Sequence, residues 1–223
     1  VLIAPHIHQI PLLMSNAYLI VEADGLTLID AGMARQGRGI RRYLRRLGHQ
    51  PEQVKRILVT HADIDHAGAV SALKALSGAR VYASAVEARA LRAGRSSRPL
   101  QLNGIGRLAF ESFEATFGYG EIEVDEIVKD GDRLPILSGL QVIETSGHTP
   151  GHLAFYAQEA GVLFAGDALR ARQDELRLNR HPINTWDAQQ VLASTRKLAA
   201  LQPQIVCAGH GRAVYQAQGK FPL

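Results

Sequence analysis

The chain has a single cysteine, Cys207, in 223 residues. One thiol excludes an intramolecular disulfide framework and suits a reducing compartment, so the expected location is the cytoplasm. Within Ile205-Val206-Cys207-Ala208 it reads as a small buried hydrophobe. Lysine is scarce too: 5 Lys stand against 20 Arg, and the net charge is +4 with a pI of about 9.4. No basic stretch interleaves with aromatics as in an RNA-binding module, so nucleic acid is not an expected partner. Over Arg35 to Arg46 the arginines flank a helical stripe of Ile40, Tyr43, Leu44 and Leu47, the pattern of a solvated helix face. No apolar run reaches the ~18 residues of a membrane span, and no basic segment followed by an apolar stretch opens the sequence. Neither a membrane span nor a secretory signal is therefore expected.

What the chain does have is apolar content for a core: 46% hydrophobic residues, enough for one large domain over 1–223. Tyr18 to Val21 and Leu26 to Ile29 read as strands joined by a turn at Ala23-Asp24-Gly25. A basic amphipathic helix follows to about Leu47, with Gly48 past its end. Further strands are expected at Arg56 to Val59, Val81 to Ala83, Leu140 to Ile143, Leu153 to Tyr156, Val162 to Ala165 and Ile205 to Ala208. Helices are expected from about Ala67 to Leu76, over Glu87 to Leu91, over Leu108 to Phe117 with Phe110, Phe113 and Phe117 on one side, and from Trp186 to Leu201 with Asn184 or Thr185 as N-cap. Periodicity alone yields mixed α and β.

Directly after the apolar run Ile57-Leu58-Val59, the stretch Thr60-His61-Ala62-Asp63-Ile64-Asp65-His66-Ala67-Gly68 offers four metal-ligating side chains within six residues. In an extended segment His61, Asp63 and Asp65 share one face, and His66 joins them as the chain turns. Imidazole and carboxylate suit a hard or borderline divalent cation. Three more candidates each follow an apolar or small-residue segment: His148 in Gly147-His148-Thr149-Pro150-Gly151-His152, Asp167 in Phe164-Ala165-Gly166-Asp167, and His210 in Ala208-Gly209-His210-Gly211.

These motifs, with Asn16-Ala17-Tyr18-Leu19-Ile20 and Leu28-Ile29-Asp30-Ala31-Gly32 before them, resemble the metallo-β-lactamase superfamily of metal-dependent hydrolases, glyoxalase II-like and lactonase-like members in particular. The resemblance covers nearly the whole chain and implies an α/β fold, a four-layer αβ/βα sandwich. It also implies two divalent metal ions, zinc first. His61, Asp63 and His148 would hold one, Asp65, His66 and His210 the other, and Asp167 would bridge both together with a hydroxide. Asp65 would also orient that nucleophile and carry a proton to the leaving group, and Asp30 would brace the metal loop. The implied reaction is hydrolysis of a small ester, thioester or lactone by metal-bound hydroxide.

The sequence leaves the family pattern at Asp63, where His-x-His-x-Asp-His would place its second histidine. A third carboxylate lowers the net charge of the centre, which should weaken its Lewis acidity and raise the pKa of bound water. Oxygen ligation also shifts preference towards harder ions such as manganese or iron. Flavodiiron reductases look similar at this position, so a diiron oxygen or nitric-oxide reductase module with a flavoprotein partner is one alternative reading. A phosphodiesterase or phosphotriesterase using the same site is another. Arg170, Arg172, Arg177 and Arg180 follow Asp167 closely and could bind an anionic group on a small-molecule substrate, and His181 could touch that substrate. His152 is either a support behind the ligands or an ordinary strand histidine. Oligomeric state is not legible.

Overall fold

Alternation along the strands decides where each side chain goes. In β3 (Asn16–Glu22) Leu19 turns to one side while Tyr18 and Ile20 turn to the other. The same split recurs in β4 (Gly25–Ile29), with Leu26 and Leu28 opposite Ile29, and in β5 (Val54–Leu58), with Ile57 opposite Leu58. With β1 (Leu2–Ala4), β2 (Ile7–Pro11), β6 (Arg80–Ala83) and β7 (Glu126–Ile127), these form a seven-stranded sheet in sequential order. The structure, a computed structural model, describes residues 1–99, 104–106, 108, 112, 118–179 and 185–223.

A second sheet has six strands. These are β8 (Arg133–Leu134), β9 (Leu140–Glu144), β10 (Leu153–Ala157), β11 (Val162–Gly166), β14 (Ile205–Ala208) and β15 (Val214–Tyr215), in the order β15-β14-β11-β10-β9-β8. The strands β12 (Leu169–Arg172) and β13 (Glu175–Leu178) form a separate hairpin. Phe155, Phe164 and Cys207 face the first sheet and share a core with Tyr18, Ile20, Ile29 and Leu58. Cys207 is thus a buried hydrophobe, as its sequence context implied.

Each sheet carries helices on its outer face. Ile40 and Leu44 of α1 (Gly37–Arg46) and Val70 and Leu73 of α3 (Val70–Ser77) pack on Leu19, Leu28 and Ile57. On the far side, Leu198 of α5 (Ala188–Ala199) packs with Tyr156, Leu163 and Val206. The layers therefore run helix, sheet, sheet, helix, which is the expected αβ/βα sandwich.

Several expectations change in detail. The helix expected from Ala67 to Leu76 is two helices, α2 (Ile64–Ala67) and α3. They part at Gly68, which lies so close to Met33 Cα and the Ala34 amide that a Cβ would collide with them. The last helix is shorter than Trp186 to Leu201, and its N-cap is Asp187 rather than Thr185. The Asp187 carboxylate accepts from the amides of Gln189 at 2.8 Å and Gln190 at 3.1 Å. The strands at residues 2–11 and the β12–β13 hairpin had no clear sequence signal. The aromatic positions Phe110, Phe113 and Phe117, the alternative cap Asn184, and Arg180, His181 and Pro182 lie outside the described residues.

Candidate metal centre

All seven candidate ligands sit at or just beyond the carboxyl ends of strands. His61, Asp63, Asp65 and His66 follow β5, His148 follows β9, Asp167 follows β11 and His210 follows β14. The parallel pairs β4–β5 and β11–β14 point their carboxyl ends to one side of each sheet, the usual place for a site in such sheets. The two sheets are joined at that end by the Leu153 amide donating to the Thr60 carbonyl at 2.9 Å, and by the Asn16 amide donating to Gly209 O at 2.8 Å.

The seven side chains converge into three overlapping groups, each offering ligand atoms within 4.8 Å of one another: His61, Asp63 and His148; Asp65, His66 and His210; and His61, His66 and Asp167. Asp63 Oδ2 lies 3.2 Å from His148 Nε2 and 3.7 Å from His61 Nε2. Asp65 Oδ2 lies 3.6 Å from His210 Nε2 and 3.8 Å from His66 Nε2. Asp167 stands between the first two groups, with Oδ1 at 3.3 Å from His66 Nε2 and Oδ2 at 3.1 Å from His210 and 3.8 Å from His148. The close approach depends on Gly209, where a Cβ would run into Asp167 Oδ1 and the His66 ring.

Tautomers are set from behind. His66 Nδ1 faces Asp30 Oδ2 at 2.8 Å, and Thr60 Oγ1 donates to the same oxygen at 2.8 Å. Since the Thr60 proton goes to Asp30, its oxygen accepts from His61 Nδ1 at 2.9 Å. Both imidazoles then carry their proton on Nδ1 and turn the Nε2 lone pair into the cluster. His61 Nε2, His66 Nε2 and Asp167 Oδ1 are buried there without a hydrogen-bond partner among the described residues. Buried polar atoms are normally paired, and these three are lone-pair donors aimed at one place. Such a set fits a divalent cation.

The electrostatics agree. Burial opposes ionisation of Asp63 and Asp167, but the surrounding imidazoles outweigh it. His148 and His61, with Arg98, hold Asp63 well below the usual carboxylate range, and His66 and His210 do the same for Asp167. Burial likewise opposes a charge on His66, yet Asp65, Asp167 and Asp30 hold its pKa well above the ordinary value, so these carboxylates favour a positive charge at Nε2, a proton or the cation that would take its place. Burial and the adjacent His66 push His61 well below it. The cluster is one in which anionic ligands stay ionised and draw positive charge.

Sequence reasoning missed four residues. Glu87, fully buried on α4 (Ala85–Arg92), accepts from Ala62 N at 2.9 Å, Thr149 Oγ1 at 2.7 Å, Gly151 N at 3.0 Å and Ser97 Oγ at 2.7 Å. It therefore ties the His61 loop, the His148 loop and the segment after α4 together. The spacing Ser84-x-x-Glu87 would have suggested only a capping box. Asn179 places Nδ2 at 3.2 Å from both Asp167 Oδ2 and His148 Nδ1. Arg98 and Ser96 belong to Arg95-Ser96-Ser97-Arg98-Pro99, whose sequence reads as a helix breaker, and both contact Asp63. His152 turns out to be a support: buried and held neutral by burial, with a pKa of about 3, it accepts from the Asp167 amide on Nε2 at 2.9 Å and faces Thr145 Oγ1 through Nδ1 at 2.7 Å.

Ala171 and Leu176 face the core, so Arg170, Arg172 and Arg177 lie on the other face of the hairpin, and Arg177 pairs with Glu175 at 2.8 Å. Among the described residues, the guanidinium in contact with the candidate ligands is that of Arg98.

The profile of the Metallo-beta-lactamase superfamily matches residues 10–210, from β2 through the last candidate ligand. The chain belongs to that superfamily. As a member it is a metallo-hydrolase. It is 26% identical over 225 residues to a probable metallo-hydrolase of Bacillus subtilis (strain 168), covering 93% of this chain and 84% of that protein. It is 32% identical over 206 residues to a hydroxyacylglutathione hydrolase of Fuscovulum blasticum, covering 90% of this chain but 64% of the relative's length. Among solved structures, a metallo-beta-lactamase family protein from Thermus thermophilus superposes with a TM-score of 0.76 at 27% identity, over 97% of this chain and 77% of that one. No described helix of this superfamily member is long and apolar enough to cross a membrane.

Proposed function

We propose that this metallo-hydrolase is a dinuclear enzyme acting on a small ester, thioester or lactone, as a single domain in the cytoplasm. One observation carries the reading: His61 Nε2, His66 Nε2 and Asp167 Oδ1 are buried and lack partners among the described residues, and these three residues offer ligand atoms within 4.8 Å of one another. His61, Asp63 and His148 would hold the first ion, Asp65, His66 and His210 the second, with Asp167 shared between them. Two such ions supply an activated water and polarise a scissile carbonyl.

The chain's own residues do the rest. Asp30 and Thr60 keep the Nε2 lone pairs of His61 and His66 available, and His152 and Asn179 hold Asp167 in place. Asp65, whose side chain is more exposed than those of His66 and His210 beside it, is the carboxylate suited to accept the water's proton and pass it to the leaving group. The likeness to a hydroxyacylglutathione hydrolase supports an S-acyl thioester as the substrate to try first.

The test is a panel of S-acylglutathione thioesters, lactones, esters and phosphoesters, assayed after reconstitution with zinc, manganese or iron. Two ions per chain with turnover of thioester or lactone is the expected result. Turnover confined to phosphoesters would favour the phosphodiesterase alternative, and full turnover after verified metal removal would overturn the metal reading altogether.

A further inference from the structure

Asp63 is engaged on both oxygens by the segment that follows α4. Ser96 Oγ donates to Oδ1, and Arg98 Nη2 donates to Oδ2 at 3.0 Å. The Arg98 amide donates back to Ser96 Oγ at 3.2 Å, which fixes the two residues relative to each other. The other end of the same guanidinium, Nη1, lies 3.3 Å from His148 Nε2. Arg98 is 8% exposed in its side chain, so this contact is largely withdrawn from water and its attraction is little screened.

Asp63 Oδ2 and His148 Nε2 are two of the atoms that form the first ligand group with His61. A guanidinium carries only N–H donors, and a neutral imidazole has one available lone pair. The guanidinium thus lies against both Asp63 Oδ2 and His148 Nε2, and an ion that reaches these two atoms must displace it. A histidine at position 63 could not accept from Ser96 and a guanidinium together, so Asp63 and Arg98 form a matched pair. Together they are neutral, as a histidine would be.

We propose that Arg98 is a resident counter-cation of the first metal position, competing with the incoming ion for Asp63 and His148, so that the two positions load in sequence and the first fills last. The second position, built from Asp65, His66 and His210 with Asp167, has no guanidinium contact among the described residues and fills first. The inference rests on the reading that these seven residues hold metal.

The test is a zinc titration of the chelator-stripped full chain, read by calorimetry and by competition with a chromophoric chelator, alongside thermal melts with and without zinc. Wild-type protein should show one tight and one weaker step. Arg98→Met, which keeps the stem and drops the charge, should strengthen the weaker step by tenfold or more and change the tight step by less than twofold. The metal-free variant should melt lower than metal-free wild type, and zinc should raise its melting temperature by more. Arg98→Lys, which retains one charged donor, should shift the weaker step in the same direction by less, and it serves as the readout if Arg98→Met does not fold. Two zinc ions bound with a weaker step that Arg98→Met or Arg98→Lys leaves unchanged, or weakens, would overturn the inference while leaving the metal centre standing. Wild-type protein that binds no zinc would overturn both.

Discussion

Asp30 Oδ2 accepts from His66 Nδ1 at 2.8 Å, and through Thr60 the same oxygen also orients His61. One carboxylate at the end of β4 thus sets the tautomer of two imidazoles from different parts of the metal loop. Asp30 reaches them from a left-handed backbone conformation (φ 59°), which asparagine and aspartate tolerate better than most residues.

Asp30→Asn should keep that backbone and lose the function. An amide NH₂ turned towards His66 Nδ1 opposes the tautomer that leaves Nε2 free. Loss of such a supporting contact typically costs roughly 10- to 100-fold in metal affinity. Metal content and affinity measured on the folded variant check this; wild-type affinity in Asp30→Asn would remove Asp30 from the design.

Chelation should abolish hydrolysis and lower the melting temperature. A ligand that binds the native state alone stabilises it by about 2.7 kcal/mol at a hundredfold excess over its Kd. His66→Ala and His210→Ala should deplete the second position selectively. Melts and metal analysis on these variants decide the point, and equal melting temperatures with and without metal would count against it.

Asp63→Ala should release the ion of the first position before that of the second. It leaves His61, His148 and Asp167 there, one ligand fewer, although it also removes the partner of Arg98. Two ions per chain held as tightly as in wild type, with unchanged activity, would mean that Asp63 is not a ligand.

Glu87 gives a pH prediction for stability. Burial pushes its carboxyl above the ordinary value of 4.5, against the pull of Thr149, Ser97 and the Ala62 amide. The folded state then holds a proton that the unfolded chain has already lost. The stabilising contribution is full below about pH 4.5 and is lost as pH rises through the raised folded value. Glu87→Gln cannot titrate and should lack this loss, so its stability relative to wild type should rise through that window and stay constant above it. Glu87→Ala should be the more damaging change, because each buried donor left without an acceptor costs about 1–3 kcal/mol. Metal-free denaturation curves across pH check both, and parallel wild-type and Glu87→Gln profiles would refute the assignment.

The sequence by itself determined the candidate donors and a mixture of α and β, and the layers were implied by the family resemblance that its motifs carry. His61, Asp63, Asp65 and His66 are local to one loop, and His148, Asp167 and His210 each follow an apolar strand, so strand periodicity and donor chemistry were both readable in short windows. Tertiary structure alone decided how those donors are held and charged. Glu87 reads as a capping residue until its helix is seen against the loops carrying Ala62 and Gly151. Arg98 reads as part of a breaker until the segment after α4 comes back over Asp63, far earlier in the chain. The arginines of the hairpin after Asp167 lie opposite its core-facing residues, a placement that strand alternation sets. Ligand identity is a property of single residues and survives in one dimension. Hydrogen-bond partnership and charge compensation depend on distances between segments remote in sequence, and only the packed sheets fix those distances.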